Sequence, residues 1–340
     1  MSFKINGAEK RIGLALSGGG FRAAAFHLGV MRKLKALGLL DKLDLISCVS
    51  GGSIAGAMLA TNWGDATALD KLETYLRTKS IAVASVIGGV LDPFESRLDK
   101  LAGTYDRDLY HGKTLSNLRA GPRIYFNSTN LATGNMFFFV AGGGKDEEMG
   151  EHELGVVPAP TFPISRAVAA SSAFPPVFPP MRLDAAFYGP AAKVEYVTLT
   201  DGGVYDNMGV NPLLRVERNP IDYMIESDGG KPFAIQDSPT ESGAIVLKAS
   251  LDIMMEQIRG LEFDRIEHRH LAGKGARPLW FSIDSREGEE QAGDASAASS
   301  VSTNLKKLSD DEMRVLMRHG AALLASRIAR YAPELNAISP

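Results

Sequence analysis

One cysteine, Cys48, occurs in 340 residues. A single thiol cannot close an internal disulfide, so a reducing compartment is the natural setting and the cytoplasm the expected location. Long apolar runs are missing as well: no stretch approaches the roughly 18 to 20 residues that span a bilayer. The apolar run near the start, Ile12 to Leu16, is too short for the core of a signal peptide and ends in glycines that would break one. Any contact with lipid is therefore expected to be peripheral, at the inner face of a membrane. Charge of one sign is also lacking. Against 40 Asp and Glu stand 37 Lys and Arg, a net charge of -3, and no cluster of five or more basic residues occurs, which argues against a nucleic-acid partner. The six histidines form no H-E-x-x-H pair, and no paired cysteines are present, so no metal site is expected.

What is present is a strand, a glycine turn and a helix, twice in succession. In "LALSGGGFRAAAFHLGVMRKL", Arg11 to Leu16 reads as a buried strand. Ala23 to Leu37 reads as a helix with Phe26, Val30, Leu34 and Leu37 on one face and Gly38 closing it. In "DKLDLISCVSGGSIAGAMLATNW" the strand is Leu43 to Val49, the turn Ser-Gly-Gly, and the helix about Ser53 to Asn62. Two such units predict an α/β fold with a parallel sheet, whose active site lies at the carboxyl ends of the strands. Further on, Asp65 to Thr78 reads as helix, Arg123 to Asn130 and Asn135 to Ala141 as strands, and "SRAVAASSAFPPVFPP" as a small-residue helix stopped by Pro175 and Pro176. "KVEYVTLTDGGVYDNMGV" reads as a strand, Val194 to Leu199, running into a glycine turn. "AIVLKASLDIMMEQIRGLEFDRI" reads as a strand followed by a long helix. Ser285 to Thr303 has almost nothing to bury and reads as a surface loop, and a capping box, Ser309 with Glu312, opens a last helix to about Tyr331. The apolar stretch from Ile81 to Leu91, broken by Gly88 and Gly89, reads as a buried helix and turn, with a flap over an apolar pocket (a lid across about 81–94) as the alternative.

Gly18-Gly19-Gly20-Phe21-Arg22-Ala23 fits G-x-G-x-x-A, the dinucleotide fingerprint, and would suit a nucleotide-binding oxidoreductase. That reading wants an acidic residue at the end of the second strand. Cys48-Val49-Ser50-Gly51-Gly52 stands there instead, close to the nucleophile elbow G-x-S-x-G with Cys48 in place of the first glycine. Ser50 directly follows the strand and is the preferred nucleophile, with Gly52 leaving room beside it; Ser53, where a helix N-cap belongs, is the competitor. On adjacent parallel strands both turns emerge on one edge, so the amides of Gly18, Gly19 and Gly20 can face a developing oxyanion. Arg22 either braces that loop through its carbonyls, meets a lipid phosphate, or is a plain surface arginine. A serine needs a base. No histidine stands in a glycine turn after a strand: His27 lies on the first helix, and His268 and His270 point to different faces of another. Asp201 in "LTDGGVYDN" directly follows a strand, Gly202 and Gly203 permit close approach, and burial beside apolar groups would raise its affinity for a proton. Asp206 is the reserve.

With these residues assembled, the chain resembles the patatin-like phospholipases, lipid acyl hydrolases with a Ser-Asp dyad. "SGGGFRAA" is similar to the family's oxyanion motif, with Ser17 and Ala23 at two variant positions. "DLISCVSGGSIAGAML" resembles its elbow strand and helix, and Asp201 to Gly203 its "DGG". The likeness spans about Arg11 to Pro212. It implies a three-layer α/β/α fold with a mostly parallel central sheet and one catalytic domain over 1–340, with its motif-bearing core at about 11–212 and a C-terminal helical extension at 243–340. It also implies hydrolysis of phospholipid or lysophospholipid esters by Ser50 and Asp201 without metal or organic cofactor. A lipid-binding protein that keeps the fold and has lost turnover is the remaining alternative.

Overall fold

Both strand–turn–helix units form and lie side by side. A computed structural model describes residues 3–5, 7–81, 97–184, 194–233 and 242–337. In chain order these are a hairpin of β1 (Phe3–Ile5) and β2 (Ala8–Lys10), then β3 (Ile12–Leu16), α1 (Gly20–Ala36), β4 (Leu43–Cys48), α2 (Gly51–Thr61), α3 (Ala68–Thr78) and α4 (Arg97–Tyr105). Next come β5 (Arg123–Asn130), β6 (Asn135–Ala141), β7 (Glu148–Glu151), β8 (Gly155–Pro158), α5 (Ile164–Ser171), β9 (Met181–Asp184), β10 (Tyr196–Asp201) and α6 (Gly203–Asp206). The chain ends with β11 (Tyr223–Asp228), α7 (Gly243–Leu271), β12 (Arg277–Ser282), α8 (Asp294–Ser300) and α9 (Asp310–Tyr331). The stretch expected as a lid, apart from Ile81, lies outside the described residues.

The main sheet runs β12-β11-β3-β4-β5-β6-β7-β8. The first five strands are parallel to one another, and the rest add an antiparallel wing. Alternation along the strands splits the apolar residues between two cores, as a sheet covered on both faces requires. Leu14, Leu16, Ile46, Cys48, Ile124 and Phe126 face one core, and Ala15, Leu45 and Tyr125 face the other. On the first side α1 packs between α2 and α9; on the second, Ile266 of α7 and the 208–214 turn close the layer. The result is the expected α/β/α sandwich.

β10 takes an unusual place. It pairs antiparallel with the upper end of β5, Asp201 opposite Ser128, while β4 pairs with the lower end, Cys48 opposite Phe126. Since β6 occupies the other side of β5 throughout, β4 and β10 run head-on along one side and their tips meet beside Asn127. The Asn127 side-chain amide fills the gap, donating to Ser47 Oγ (2.8 Å) and to the Cys48 carbonyl (3.2 Å).

Three expectations need correction. "AIVLK" is no strand: one unbroken helix runs from Gly243 to Leu271. The loop expected over 285–303 contains α8, whose Asp294, Ala295 and Ala298 are buried. Its small residues let it approach α9 closely, and Arg318 of α9 donates to Asp294 (2.9 Å). The region beyond 243 is also more than a helical extension, because β12 extends the parallel sheet beside β11. β11 itself carries Glu-Ser-Asp at its end and gives little apolar signal, yet all six of its residues are buried.

Candidate active site

β3 and β4 pair in parallel with Leu16 opposite Cys48, so the glycine turn and the serine turn leave the sheet together. Backbone bonds weld them: Val49 N to Leu16 O (3.0 Å) and Gly52 N to Ser17 O (3.1 Å). Glycine is needed here for space, since a Cβ at Gly51 would strike the Gly20 carbonyl and one at Gly52 the Leu16 carbonyl. Cys48 fits the elbow because its Sγ lies where Gly56 of α2 has no side chain.

Ser50 has φ +51° and ψ -114°, a conformation L-residues rarely hold, which costs on the order of 1–3 kcal/mol. This strained turn leaves the hydroxyl out of helix capping: no side-chain cap bond forms at the start of α2. The backbone N-H of Ser50 donates instead to Ser171 Oγ (3.1 Å) at the end of α5. The competitor Ser53 is fully buried in α2 with its hydroxyl also on Ser171 Oγ (2.8 Å).

Asp201 ends β10 and is buried. Oδ1 accepts the Gly203 N-H (2.7 Å), and the Asp201 N-H donates to Ala173 O (3.1 Å). Oδ2 has no partner of normal hydrogen-bond geometry. Burial drives the carboxyl up to about 7, opposed by the Gly203 amide and by the Ser50 hydroxyl. The two turns are neighbours: a Cβ on Gly202 would lie 3.3 Å from Val49 Cγ1, next to Ser50. Asp206, the reserve, is spent on structure: Oδ1 accepts Gly209 N and Oδ2 accepts both nitrogens of Asn211. His27 is a core residue, with Nδ1 against Ser227 Oγ (2.8 Å) and Nε2 against Ser17 O (3.0 Å). Burial depresses it to about 4, leaving it uncharged.

The three glycine amides are not equivalent. Gly18 N donates to Asn207 O (3.0 Å), while Gly19 and Gly20 donate to no acceptor among the described residues. Gly19, at φ +141°, and Gly20, at φ +62°, hold backbone conformations that a side chain would strain. Gly18 lies in the shadow of the Asn207 amide, which also presses on Gly203. Asn207 thus ties the base turn to the glycine turn, and Ser171 ties it to the serine turn, since its carbonyl accepts Gly202 N (3.4 Å). Sequence reasoning gave neither residue a role. Only their place, just after "DGG" and just before the prolines, signals them.

Arg22 is fully buried, so it neither lies on the surface nor meets a lipid phosphate. Nor does it brace its own loop. Nε and Nη2 donate to Gly229 O (3.2 and 3.0 Å), and Nη1 donates to Val301 O (3.2 Å) and Thr303 Oγ1 (2.5 Å). Beside it, Phe21 N donates to Asn304 O (2.9 Å). Arg22→Ala would strip donors from two buried carbonyls and is expected to cost about 3 kcal/mol or more in chemical denaturation. Arg22→Lys should recover little, because one ammonium cannot span both acceptors.

The described cavities lie away from this arrangement; one of about 610 Å³, lined by Arg11, Asp44, Trp63 and Arg123, opens at the amino ends of the strands. Converging turns mark the site, at the carboxyl edge where parallel sheets place ligands. Among the described residues no group of three or more His, Cys, Asp or Glu side chains is arranged to hold a metal ion.

The fold is shared with human GIVD cytosolic phospholipase A2, at TM-score 0.62 and 13% identity over 96% of this chain and 60% of that one. The same human protein in complex with methyl gamma-linolenyl fluorophosphonate and terbium chloride gives TM-score 0.60 and 14% identity, over 96% of this chain and 59% of that one. The chain thus spans about 60% of the length of those structures. No curated protein sequence matches it. The patatin-like phospholipase model matches residues 14–214, which include the glycine turn, Ser50 and Asp201. The G-x-G-x-x-A match therefore carries no dinucleotide reading, and the chain belongs to the patatin-like phospholipase family.

Proposed function

We propose that the chain is a serine acyl hydrolase that cleaves fatty acyl esters of phospholipids or lysophospholipids through Ser50 and Asp201. The observation that carries this reading is the head-on meeting of β4 and β10. That meeting supports pairing a strained, uncapped serine with a buried carboxylate that burial raises to about 7. A base poised near the working pH is what proton abstraction needs. Asp201 takes the hydroxyl proton as Ser50 Oγ attacks the ester carbonyl carbon. The negative charge passes to the carbonyl oxygen, which the Gly19 and Gly20 amides receive. Asp201 returns the proton to the departing alcohol, leaving an acyl-serine. Water then gives its proton to Asp201 and attacks the acyl carbon; Ser50 is reprotonated and the fatty acid leaves.

Phe21, which follows Gly20, packs edge-on against Tyr75 (5.6 Å) in the core beneath the glycine turn. No described helix is long and apolar enough to cross a membrane, so access to phospholipid is proposed to be peripheral and, with one buried thiol, in the cytoplasm.

The test combines an alkyl fluorophosphonate probe with fatty acid release from micellar phosphatidylcholine. Labelling at Ser50 with release is expected. An unlabelled protein that still binds micelles would make this a binding protein of the same fold, and labelling at Ser53 would move the nucleophile. Gly19→Ala probes the oxyanion step. Its Cβ would come within 2.9 Å of Gly229 O and of Arg22 Nη2, shifting the amides. Turnover is expected to fall roughly 10²-fold or more with little change in KM.

A further inference from the structure

α7 is built inside out over its first half. Arg259 donates to Asp228, the last residue of β11 (2.7 Å), and the helix then descends to the start of β12. The segment below Arg259 is about 18 Å long, close to the roughly 20 Å of a six-residue strand. The residues before it, 243–258, therefore continue for about 24 Å past the carboxyl edge of the sheet. That is the edge where Ser50 and Asp201 emerge, and a Cβ on Gly203 would sit 3.3 Å from Met255 Cε on the inner side of this overhang.

Outward from it point Val246, Leu247, Ile253 and Met254, from 42% to 73% exposed. By helical spacing the polar residues on that side are Ser250 and Gln257, which carry no charge. Every charged residue of the stretch lies on the other side and is paired: Lys248 with Asp252, Glu256 with Arg259, and Arg259 with Asp228. Phe233, 46% exposed, stands after the loop that adjoins Gly19. An exposed, uncharged apolar face beside a reaction site calls for an apolar partner.

We propose that this overhang is a lipid-docking surface that seats the reaction edge on a neutral phospholipid interface. The proposal rests on the hydrolase reading above and adds to it the surface that meets the substrate aggregate. A second copy of the chain fits poorly. Four turns of one helix are about 22 Å long and 10 Å wide and offer a few hundred Å², against about 800 Å² per partner in stable interfaces. A face without charge also gives no preference for anionic lipid, in keeping with the net charge of -3.

The experiment uses the full chain carrying Leu247→Glu and Met254→Glu. Co-sedimentation with phosphatidylcholine vesicles is measured in a Ser50→Ala background, so that no turnover alters them. Hydrolysis of vesicle lipid and of soluble p-nitrophenyl butyrate is measured with Ser50 intact. Vesicle binding and vesicle hydrolysis are expected to drop at least about tenfold, with the soluble ester cleaved at an unchanged rate. Unchanged vesicle binding would overturn the proposal, as would a dimer in the parent chain that the substitutions dissociate. If the parent chain binds vesicles in a Leu247- and Met254-dependent way but cleaves no ester, docking stands and the hydrolase reading falls.

Discussion

Ser50→Ala is expected to lower fatty acid release by roughly 10⁴-fold or more, with unfolding shifted only slightly. The loss is large because the competing serine is committed elsewhere: Ser53 is fully buried with its hydroxyl bonded to Ser171. The stability change is small because alanine keeps the same strained backbone and the hydroxyl caps nothing. The Ser50 N-H to Ser171 bond survives the substitution, so the turn should keep its shape. Ser53→Ala is the contrasting variant. It removes one of two bonds to Ser171 Oγ, which should loosen the turn and slow turnover by about tenfold or less. Rates from both variants on micellar phosphatidylcholine decide the matter; comparable losses would remove Ser50 from its role.

Asp201→Asn is expected to abolish turnover to a similar degree and to stabilise the protein near neutral pH. Asparagine can still accept the Gly203 amide through its side-chain oxygen but cannot take a proton. In the parent chain the folded carboxyl titrates near 7, above its ordinary value of about 3.9 when unfolded. Between about pH 4 and 7 the folded state holds a proton that the unfolded state has released, so stability declines as pH rises through that window. Above it the cost levels off at several kcal/mol at most, which the asparagine variant avoids. Thermal unfolding at pH 5 and pH 8 should therefore show the two proteins diverging toward the higher pH. Activity runs the other way: the parent rate should fall about tenfold per unit below pH 7 as Asp201 protonates. A pH-independent rate between 5 and 8 would rule out a buried carboxylate as the base.

Much of this site could be read from sequence because its chemistry is written in glycines. Gly18 to Gly20, Gly51-Gly52 and Gly202-Gly203 each follow a strand, and a Cβ would strike backbone at Gly19, Gly20, Gly51, Gly52 and Gly202 and the Asn207 side chain at Gly18 and Gly203. Ser171 and Asn207 were not legible, since nothing in a serine after two alanines or an asparagine after a tyrosine-aspartate pair predicts a partner far along the chain. The unequal duty of the three amides was hidden for the same reason. β11 escaped notice because its second half is Glu226, Ser227 and Asp228, polar residues that read as surface. Glu226 is buried with both oxygens unpartnered, and burial among Asp228, Asp206 and Glu262 drives its carboxyl far up, so it packs as a neutral group. The opposite error befell "AIVLK", whose aliphatic run suggests a strand but belongs to a helix that turns apolar residues outward.

The clamp on Arg22 has a kinetic consequence. Its acceptors Val301 and Thr303 lie 279 and 281 residues along the chain, and Asn304 takes the neighbouring amide. Contacts of such high sequence separation are costly to close and order late in folding. β3 and β4 can pair long before the residues that anchor Phe21 and Arg22 at the start of α1 arrive. The start of α1, where the glycine turn joins the helix, is thus expected to gain its full set of contacts only when nearly the whole chain has been made.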